Sequence, residues 1–600
     1  MPDTANLQNS AHPRWDLSDL YTAMDCEALE KDHQKLIQLS ENFAHQYKGK
    51  LPGLSARQML AAIKEYEEME EIMGRIMSYA GLLHAGNVTD SAISKFYQSS
   101  QERLTAINSI LLFFTLEINR LEDHKIEEWC EDSPEFGRYR PWLITIRQYR
   151  PHQLDEALEE ILLDKSVTGR SAWIRLFDET MAGLKFSYTN PETGAVESLG
   201  TEQALDLMSD ANGDKRKAAA QCLSHTFGEN IRLFSHITNT LAKDKQVEDR
   251  WRKYEDCTTS RHLSNQLEAP VVEALVSAVK AAYPKLSHRY YRLKAKWFGS
   301  DTLSWWDRNA PLPDADDKLY SWEEAQKVVH RAYEEFSPEM AAIGQRFFDN
   351  DWIDVGVREG KSPGAFAHPT VPSAHPYLLL NYMGKSRDVM TLAHELGHGI
   401  HQVLAAPQGQ LLCDTPLTLA ETASVFGEML TFRSLLSGEK DLNKRRLMIA
   451  SKVEDMLNTV VRQVAFYDFE VRVHTARAQG ELSPEELGQI WMDVQGESLG
   501  DAISFDKDYQ NFWCYIPHFI HSPFYVYAYA FGDCLVNSLY ATYQNKPEGF
   551  QEKYFHMLRA GGSLRHKELL KPFGLDASDP DFWSAGLNMI SDFIDQLEEM

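Results

Sequence analysis

Two histidines and a glutamate stand at the offsets a zinc hydrolase needs: His394, Glu395 and His398, within Ser386 to Leu404, SRDVMTLAHELGHGIHQVL. Histidines four apart on a helix lie one turn above each other and can share one metal ion, while the glutamate between them stands beside water on that ion. The chemistry this predicts is metal-assisted hydrolysis with Glu395 as general base. Glu421 is the candidate third ligand. It sits among Leu419, Ala420, Ala423 and Phe426, where a carboxylate is costly unless paired or metal-bound. His394, His398 and Glu421 leave the fourth position to water, the arrangement of a catalytic site holding one Zn2+ per chain. The ligand set does not by itself exclude cobalt or manganese.

These residues need elements to position them. Val389, Leu392, Ala393, Leu396, Ile400 and Val403 recur at helical spacing, so the motif is predicted on an amphipathic helix. Gly384 closes the turn before it, and Ser386 and Asp388 are helix-starting residue types. Gly397 and Gly399 are expected to leave room near the metal for a substrate backbone. Pro407 and Gly409 break this helix, and a second, carrying Glu421, is predicted from near Thr415. His401 shares the face of His398, but a third ligand so close on one helix would have to reach past the first turn. It reads as a supporting or surface residue. A metzincin would need histidine at position 404, which is Leu404. Glu428, Asp388 and Ser424 are each able to hydrogen-bond a zinc histidine.

Ahead of the motif, Asp351 to Tyr382 reads as the strand-rich part of the chain. A small sheet there offers a peptide an open edge beside the metal, with Gly364, Ala365 and Phe366 as the candidate edge. Later, WCYIPHFIHSPFYVYAYAFG (Trp513 to Gly532) carries His518, His521, Tyr525, Tyr527 and Tyr529. His518 and at least one of the tyrosines are candidate donors to the oxyanion of a tetrahedral intermediate. Gly561, Gly562 and Ser563 read as a flexible turn able to cover a substrate.

At 600 residues the chain is too long for one compact core. Residues 1–14 are predicted as a flexible tail, 15–200 as a helical lobe and 201–600 as the catalytic domain. From Asp25 to Trp173 amphipathic helical segments follow one another, and charged runs such as Glu65 to Glu71 are expected to be solvated faces. Leu184 to Tyr188 and Ala195 to Leu199 read as a hairpin around TNPETG. The net charge of −27 argues against nucleic-acid or anionic-membrane partners. No signal peptide and no membrane-length apolar run are read from the sequence. Seven cysteines without CxxC pairing fit reduced thiols, so a cytoplasmic location is expected.

The segments GKSPGAF, NYMGKSRDVMTLAHELGHGIHQ, LAETASVFGE, PHFIHSPFYVYAYAFG and AGGS, with WDLSDLY near the start, resemble oligoendopeptidase F within the thimet-oligopeptidase-like zinc metallopeptidases. The resemblance spans nearly the whole chain and is most specific between Gly360 and Gly532. It implies a mainly α, elongated, two-lobed helical fold with a deep substrate channel, a small β-sheet near the zinc helix, and hydrolysis of internal bonds in short, unstructured oligopeptides. It also implies that His394, His398 and Glu421 are the ligands, Glu395 the base, and His518 and Tyr529 the transition-state donors. The His518 to Tyr529 spacing departs by about one residue from the thimet-type pattern, leaving Tyr525 and Tyr527 as rivals. Val425 stands where thermolysin-like enzymes carry an outer aspartate. Two alternatives remain at this level. A zinc carboxypeptidase would need a cation for the free carboxylate, with Arg308, Arg358 and Arg387 available. A catalytically silent peptide-binding scaffold would have no use for the intact Glu395. Oligomeric state and bond preference are not written in the sequence.

Overall fold

A computed structural model describes residues 12–312 and 319–600. The fold is mainly α with a few short strands, as predicted. It divides into two compact units that interleave along the chain. The first is Met1–Arg150, Asp317–Gly438 and Thr542–Leu575; the second is Pro151–Asp316, Glu439–Ala541 and Asp576–Met600. A single cut at residue 200 does not reproduce this division. Sequence pattern reports contiguous runs, whereas a core is assembled from segments distant in the chain.

The first unit begins with three helices: α1 (Glu27–Tyr47), α2 (Ala56–Gly86) and α3 (Ser91–Arg120). Ser55 caps α2 in a reciprocal box with Gln58, and Asp90 caps α3 through the amides of Ala92 and Ile93. Leu36, Phe43, Met59, Ile63, Ile76, Phe114 and Ile118 are fully buried between them. Part of the expected tail, 1–11, lies outside the described residues. His12 to Arg14 are not a free tail, because the Pro13 carbonyl accepts the Val355 amide at 3.1 Å and the His12 ring packs on Tyr382.

Helix α4 (Trp322–Phe336) leads to a three-stranded sheet of β1 (Ile353–Gly356), β2 (Phe366–His368) and β3 (Tyr377–Tyr382). The order is β1-β3-β2, with β1 parallel and β2 antiparallel to β3. The expected strand region is therefore correct, and Phe366 lies on an edge strand, as proposed from sequence. Lys361 locks the loop between β1 and β2. Its buried ammonium donates to the carbonyls of Asp354, Gly356 and Leu380 and lies 2.7 Å from the Asp354 carboxylate. The metal helix α5 (Ser386–Ala405) follows β3 directly, and α6 (Leu417–Gly438) packs along it. Helix α7 (Phe550–Ala560) completes the unit.

In the second unit the expected hairpin is present, Phe186–Thr189 pairing with Val196–Leu199 in the register Tyr188↔Glu197. A 40-residue helix, Gly213–Arg252, is capped by Asn212 and ends at Lys253 in the left-handed region. Two buried cations in this unit are paired: Arg216 holds Asp307, and Lys294 holds Glu454 and the Arg308 carbonyl. Among the described residues no single helix is long and apolar enough to cross a membrane. The bent pair Ser91–Arg120 and Asp123–Asp132 passes that test only together, and its Leu104, Ile107, Leu111 and Phe114 are buried in the helical core.

Candidate metal centre

Helix α5 starts where the sequence places it because Asp388 accepts the amides of Met383 and Lys385, both at 2.9 Å. This satisfies orphan donors of the first turn and sets an acidic group against the positive end of the helix dipole. Asp388 is thus a cap and not a partner of a zinc histidine. Val389, Leu392, Ala393, Leu396 and Ile400 are essentially inaccessible, so one side of α5 is fixed in the core. The opposite side carries His394 and His398, both half-buried, with ring centroids 4.9 Å apart. Tyr333 of α4 donates its hydroxyl to the Ala393 carbonyl, which ties the backbone immediately before His394 to a second helix.

Glu421 is brought to these histidines by the close crossing of α5 and α6. Gly397 lies at the crossing: a Cβ there would be 2.5 Å from the Ala423 carbonyl oxygen and 2.7 Å from Ser424 Cα. Gly399 meets the Phe347 ring in the same way. Both glycines therefore make room for neighbouring parts of this unit, and not for a substrate backbone as expected from sequence. Across the crossing the Glu421 Oε2 atom lies 3.3 Å from His394 Nε2 and 3.4 Å from His398 Nε2. A tetrahedron with metal–ligand bonds of about 2.05 Å has edges of about 3.3 Å, so these separations suit a zinc ion held by all three. Among the described residues, His394, His398 and Glu421 are the one group of three or more such side chains whose ligand atoms lie close enough together to hold a metal ion.

The surroundings orient two of the candidate ligands, His394 and Glu421. His394 Nδ1 faces Glu428 at 3.4 Å, which selects Glu428 from the three sequence candidates and supplies the outer carboxylate that Val425 cannot. Ser424 donates to Glu421 Oε2 at 2.7 Å. Burial works against charge on His394, yet its bonds to Glu421 and Glu428 outweigh this and push its pKa up to about 10. Burial likewise opposes ionisation of Glu421, and its bonds from His394 and His398 hold it well below the usual carboxylate range. Glu395 is buried, and desolvation raises its pKa against the neighbouring histidines. The Ala367 backbone in β2 hydrogen-bonds its carboxylate, so the base lies against the edge strand. His401 is buried, accepts or donates at 3.3 Å to Thr415 Oγ1, and is no ligand.

Several supports were not legible in the sequence. Glu67 receives the Leu411 amide and the Tyr139 hydroxyl, and Glu71 the Ser373 amide. These two carboxylates, expected on a solvated face, hold the loops that flank α5. Arg138 adds bonds to the Pro407 and Gln408 carbonyls. Gly561 and Gly562 pack on the backbone of Leu412 to Asp414, with the Gly562 amide donating to the Leu412 carbonyl at 2.8 Å. The AGGS turn is a clamp on the α5–α6 connection and not a free cover. No local signal marks any of these contacts, because each joins residues at least 72 positions apart.

The segment around His518 belongs to the second unit. His518 Nε2 lies 3.3 Å from the Tyr529 hydroxyl, and the Tyr525 ring stacks beside His518. Tyr527 is fully buried and bonded to Asn265 at 2.8 Å and His262 at 3.1 Å, so its hydroxyl is committed to the core. Arg170 and Arg261 bind the carbonyls of His521 and Pro523, and Glu470 takes the amide of Phe524, whose φ of 59° lies in the left-handed region. A bulky residue held there is strained, and the three anchors fix it.

A mainly helical fold whose H-E-x-x-H helix meets a third carboxylate in tetrahedral spacing defines a metalloendopeptidase class. The chain belongs to Peptidase family M3, whose family model matches residues 207–589, and a second model, Oligopeptidase F, matches 117–186. It is 27% identical to Oligopeptidase PepF of Bacillus subtilis (strain 168), over 100% of this chain and 88% of that protein. It is 26% identical to an oligoendopeptidase F homolog of Borreliella burgdorferi, over 94% of both chains. A solved structure of a putative peptidase from Chlamydophila abortus superposes with a TM-score of 0.84 at 23% identity, covering 98% of each chain. Oligoendopeptidase-F from Enterococcus faecium gives a TM-score of 0.72 at 22% identity, over 95% of this chain and 98% of that one. These likenesses share the fold.

Proposed function

We propose that this chain is a zinc-dependent endopeptidase that hydrolyses internal bonds of short oligopeptides. The single observation that carries the reading is the His394, His398 and Glu421 cluster at tetrahedral spacing, with a buried Glu395 next to it on the same helix. A zinc ion held by these three residues would supply Lewis-acid polarisation of the scissile carbonyl and activate a water for attack. Glu395 takes the proton released on attack and returns it to the leaving amine, and its burial favours a base that must carry a proton midway. Glu428 and Ser424 hold His394 and Glu421 in ligating orientation. His518 and Tyr529 are assigned as oxyanion donors on the resemblance and on their pairing within the second unit. The Oligopeptidase F model and the relatives named above support oligopeptides as substrates. The acidic charge and seven unpaired cysteines support a reducing, cytoplasmic setting without nucleic-acid partners.

The carboxypeptidase alternative is weakened at one of its three cations: Arg358 is committed to Asp354 by two bonds and to the Gly86 carbonyl. The test is digestion of an end-blocked, internally quenched peptide of about ten residues by wild-type protein and Glu395→Gln, with metal content measured in both. Internal cleavage that a chelator stops and zinc restores, lost in Glu395→Gln at unchanged metal content, is the expected result. Full activity in Glu395→Gln refutes the mechanism, and cleavage confined to peptides with a free C-terminus refutes the endopeptidase assignment.

A further inference from the structure

A cavity of about 380 Å3 opens beside the metal ligands within the first unit. Its walls include His398, Gln402 and Val403 of α5 with Ala406 just after it on one side, and Val371 and Pro372 on the other, with Arg346 and Asp414 also on the lining. That volume lies in the range of ligand pockets and exceeds any single side chain. The second wall is rigid. Between Pro369 and Pro376 three prolines restrict the backbone, and Thr370 sits at φ 60° with its hydroxyl donating to the His375 carbonyl at 2.8 Å. His375 stacks on Trp352 with centroids 3.8 Å apart and binds Asp19, and Val371 docks against Gly74 of α2. A β-branched residue in the left-handed region is a costly conformation, found where a ligand clamp is held ready.

The position of the cavity follows from β2. The edge of this strand at Ala367 faces α5: Glu395 meets its backbone, and the Gln402 amide approaches its carbonyl at 3.5 Å. Strand alternation turns Ala365 the same way. Past His368 the chain runs straight into the cavity wall, and Gln402 belongs to both the strand edge and the cavity. A peptide that adds to this edge does so most stably antiparallel. Its residues on the N-terminal, acyl side of the scissile bond then lie towards Pro369, and those on the amine side lie towards Ala365.

We propose that the cavity between the Pro369–Pro376 loop and the C-terminal half of α5 is a substrate subsite for a large apolar or aromatic side chain on the acyl side of the cleaved bond. This deepens the peptidase reading and rests on it. Val403 and Ala406 are half-buried and line the cavity, and neither is a candidate ligand or the base, so they are the positions to fill.

The experiment is mass-spectrometric cleavage profiling of a peptide library by wild-type protein, Val403→Trp and Ala406→Phe, each loaded with zinc. Expected is a loss of about tenfold or more in kcat/KM for substrates with a bulky apolar residue on the acyl side, relative to those with alanine there. Preferences on the amine side should stay unchanged. Unaltered acyl-side preference in a variant that keeps its metal and cleaves the alanine substrates overturns the proposal. A change confined to the amine side also overturns it, and means a peptide runs parallel to β2. Absence of chelator-sensitive cleavage by the wild-type protein is distinct from both, because it refutes the peptidase reading itself and the subsite with it.

Discussion

Replacing Gly397 by alanine tests how the metal centre is assembled, because one added carbon acts on the distance between two helices. The alanine Cβ would stand 2.5 Å from the Ala423 carbonyl oxygen and 2.7 Å from Ser424 Cα. Ordinary carbon–oxygen approach is about 3.4 Å, so α5 and α6 must separate locally by roughly 0.9 Å. Neither neighbour is a side chain that can swing away; both are backbone of the helix that carries Glu421. The 3.3 and 3.4 Å separations from Glu421 to the two histidines would lengthen by a similar amount. Metal–ligand distances tolerate only about 0.2 Å. Zinc affinity should therefore fall at least by the 10- to 100-fold typical of losing an orienting partner, about 1.4–2.8 kcal/mol. Overpacking adds about 1–3 kcal/mol of destabilisation. Competition titration against a chromophoric chelator at fixed pH measures the affinity. Gly438→Ala is the control, since no atom lies within 4 Å of a Cβ added at the far end of α6. Zinc affinity in Gly397→Ala equal to that of wild type and Gly438→Ala would refute the reasoning that this crossing sets the ligand geometry.

Three further outcomes are expected. His394, raised to about 10, keeps its proton at neutral pH in metal-free protein, so metal binding must release it. Apparent zinc affinity should then rise by about tenfold per pH unit between pH 7 and 9, and calorimetry in buffers of different ionisation enthalpy should find about one proton released; none released contradicts the assignment. The same raised pKa stabilises metal-free folded protein below about pH 6.5, and that contribution is lost as pH rises through about 10. Lys361→Met leaves three buried carbonyls without their donor and should cost about 3–5 kcal/mol. Hydrogen exchange at the β1 and β3 amides should then speed up more than in the second unit, and uniform exchange across both would count against a local role. His518→Ala and Tyr529→Phe should each lower turnover by roughly a hundred- to a thousand-fold at unchanged metal content, whereas Tyr527→Phe should act on stability alone. Equal activity losses in Tyr527→Phe and Tyr529→Phe would undo that distinction.

The sequence by itself determined which residues are the candidate ligands. A period of 3.6 forces His394 and His398 onto one face, and the apolar residues of the same helix decide that this face looks away from the core. Glu421 was legible because a carboxylate in an apolar run needs a partner, and the strand-rich stretch before the motif was legible from its residue types. These are local rules, carried by residues within a turn or a strand of one another. What only the tertiary structure decided is everything set by the meeting of distant segments. The sequence marks Gly397 as small but not what it accommodates, and the approach of Ala423 shows it to be the point where two helices touch. Glu67 and Glu71 look solvent-facing by composition and instead hold the loops around α5, because hydrogen-bond partners can arrive from hundreds of residues away. Glu428, Asp388 and Ser424 were equivalent on paper, and only helix packing places one carboxylate at His394 Nδ1, another at a helix start and the hydroxyl on Glu421. Spacing along a helix is fixed by its hydrogen bonds, whereas the neighbour across a helix is fixed by which side chains pack, and that information is distributed over the whole core.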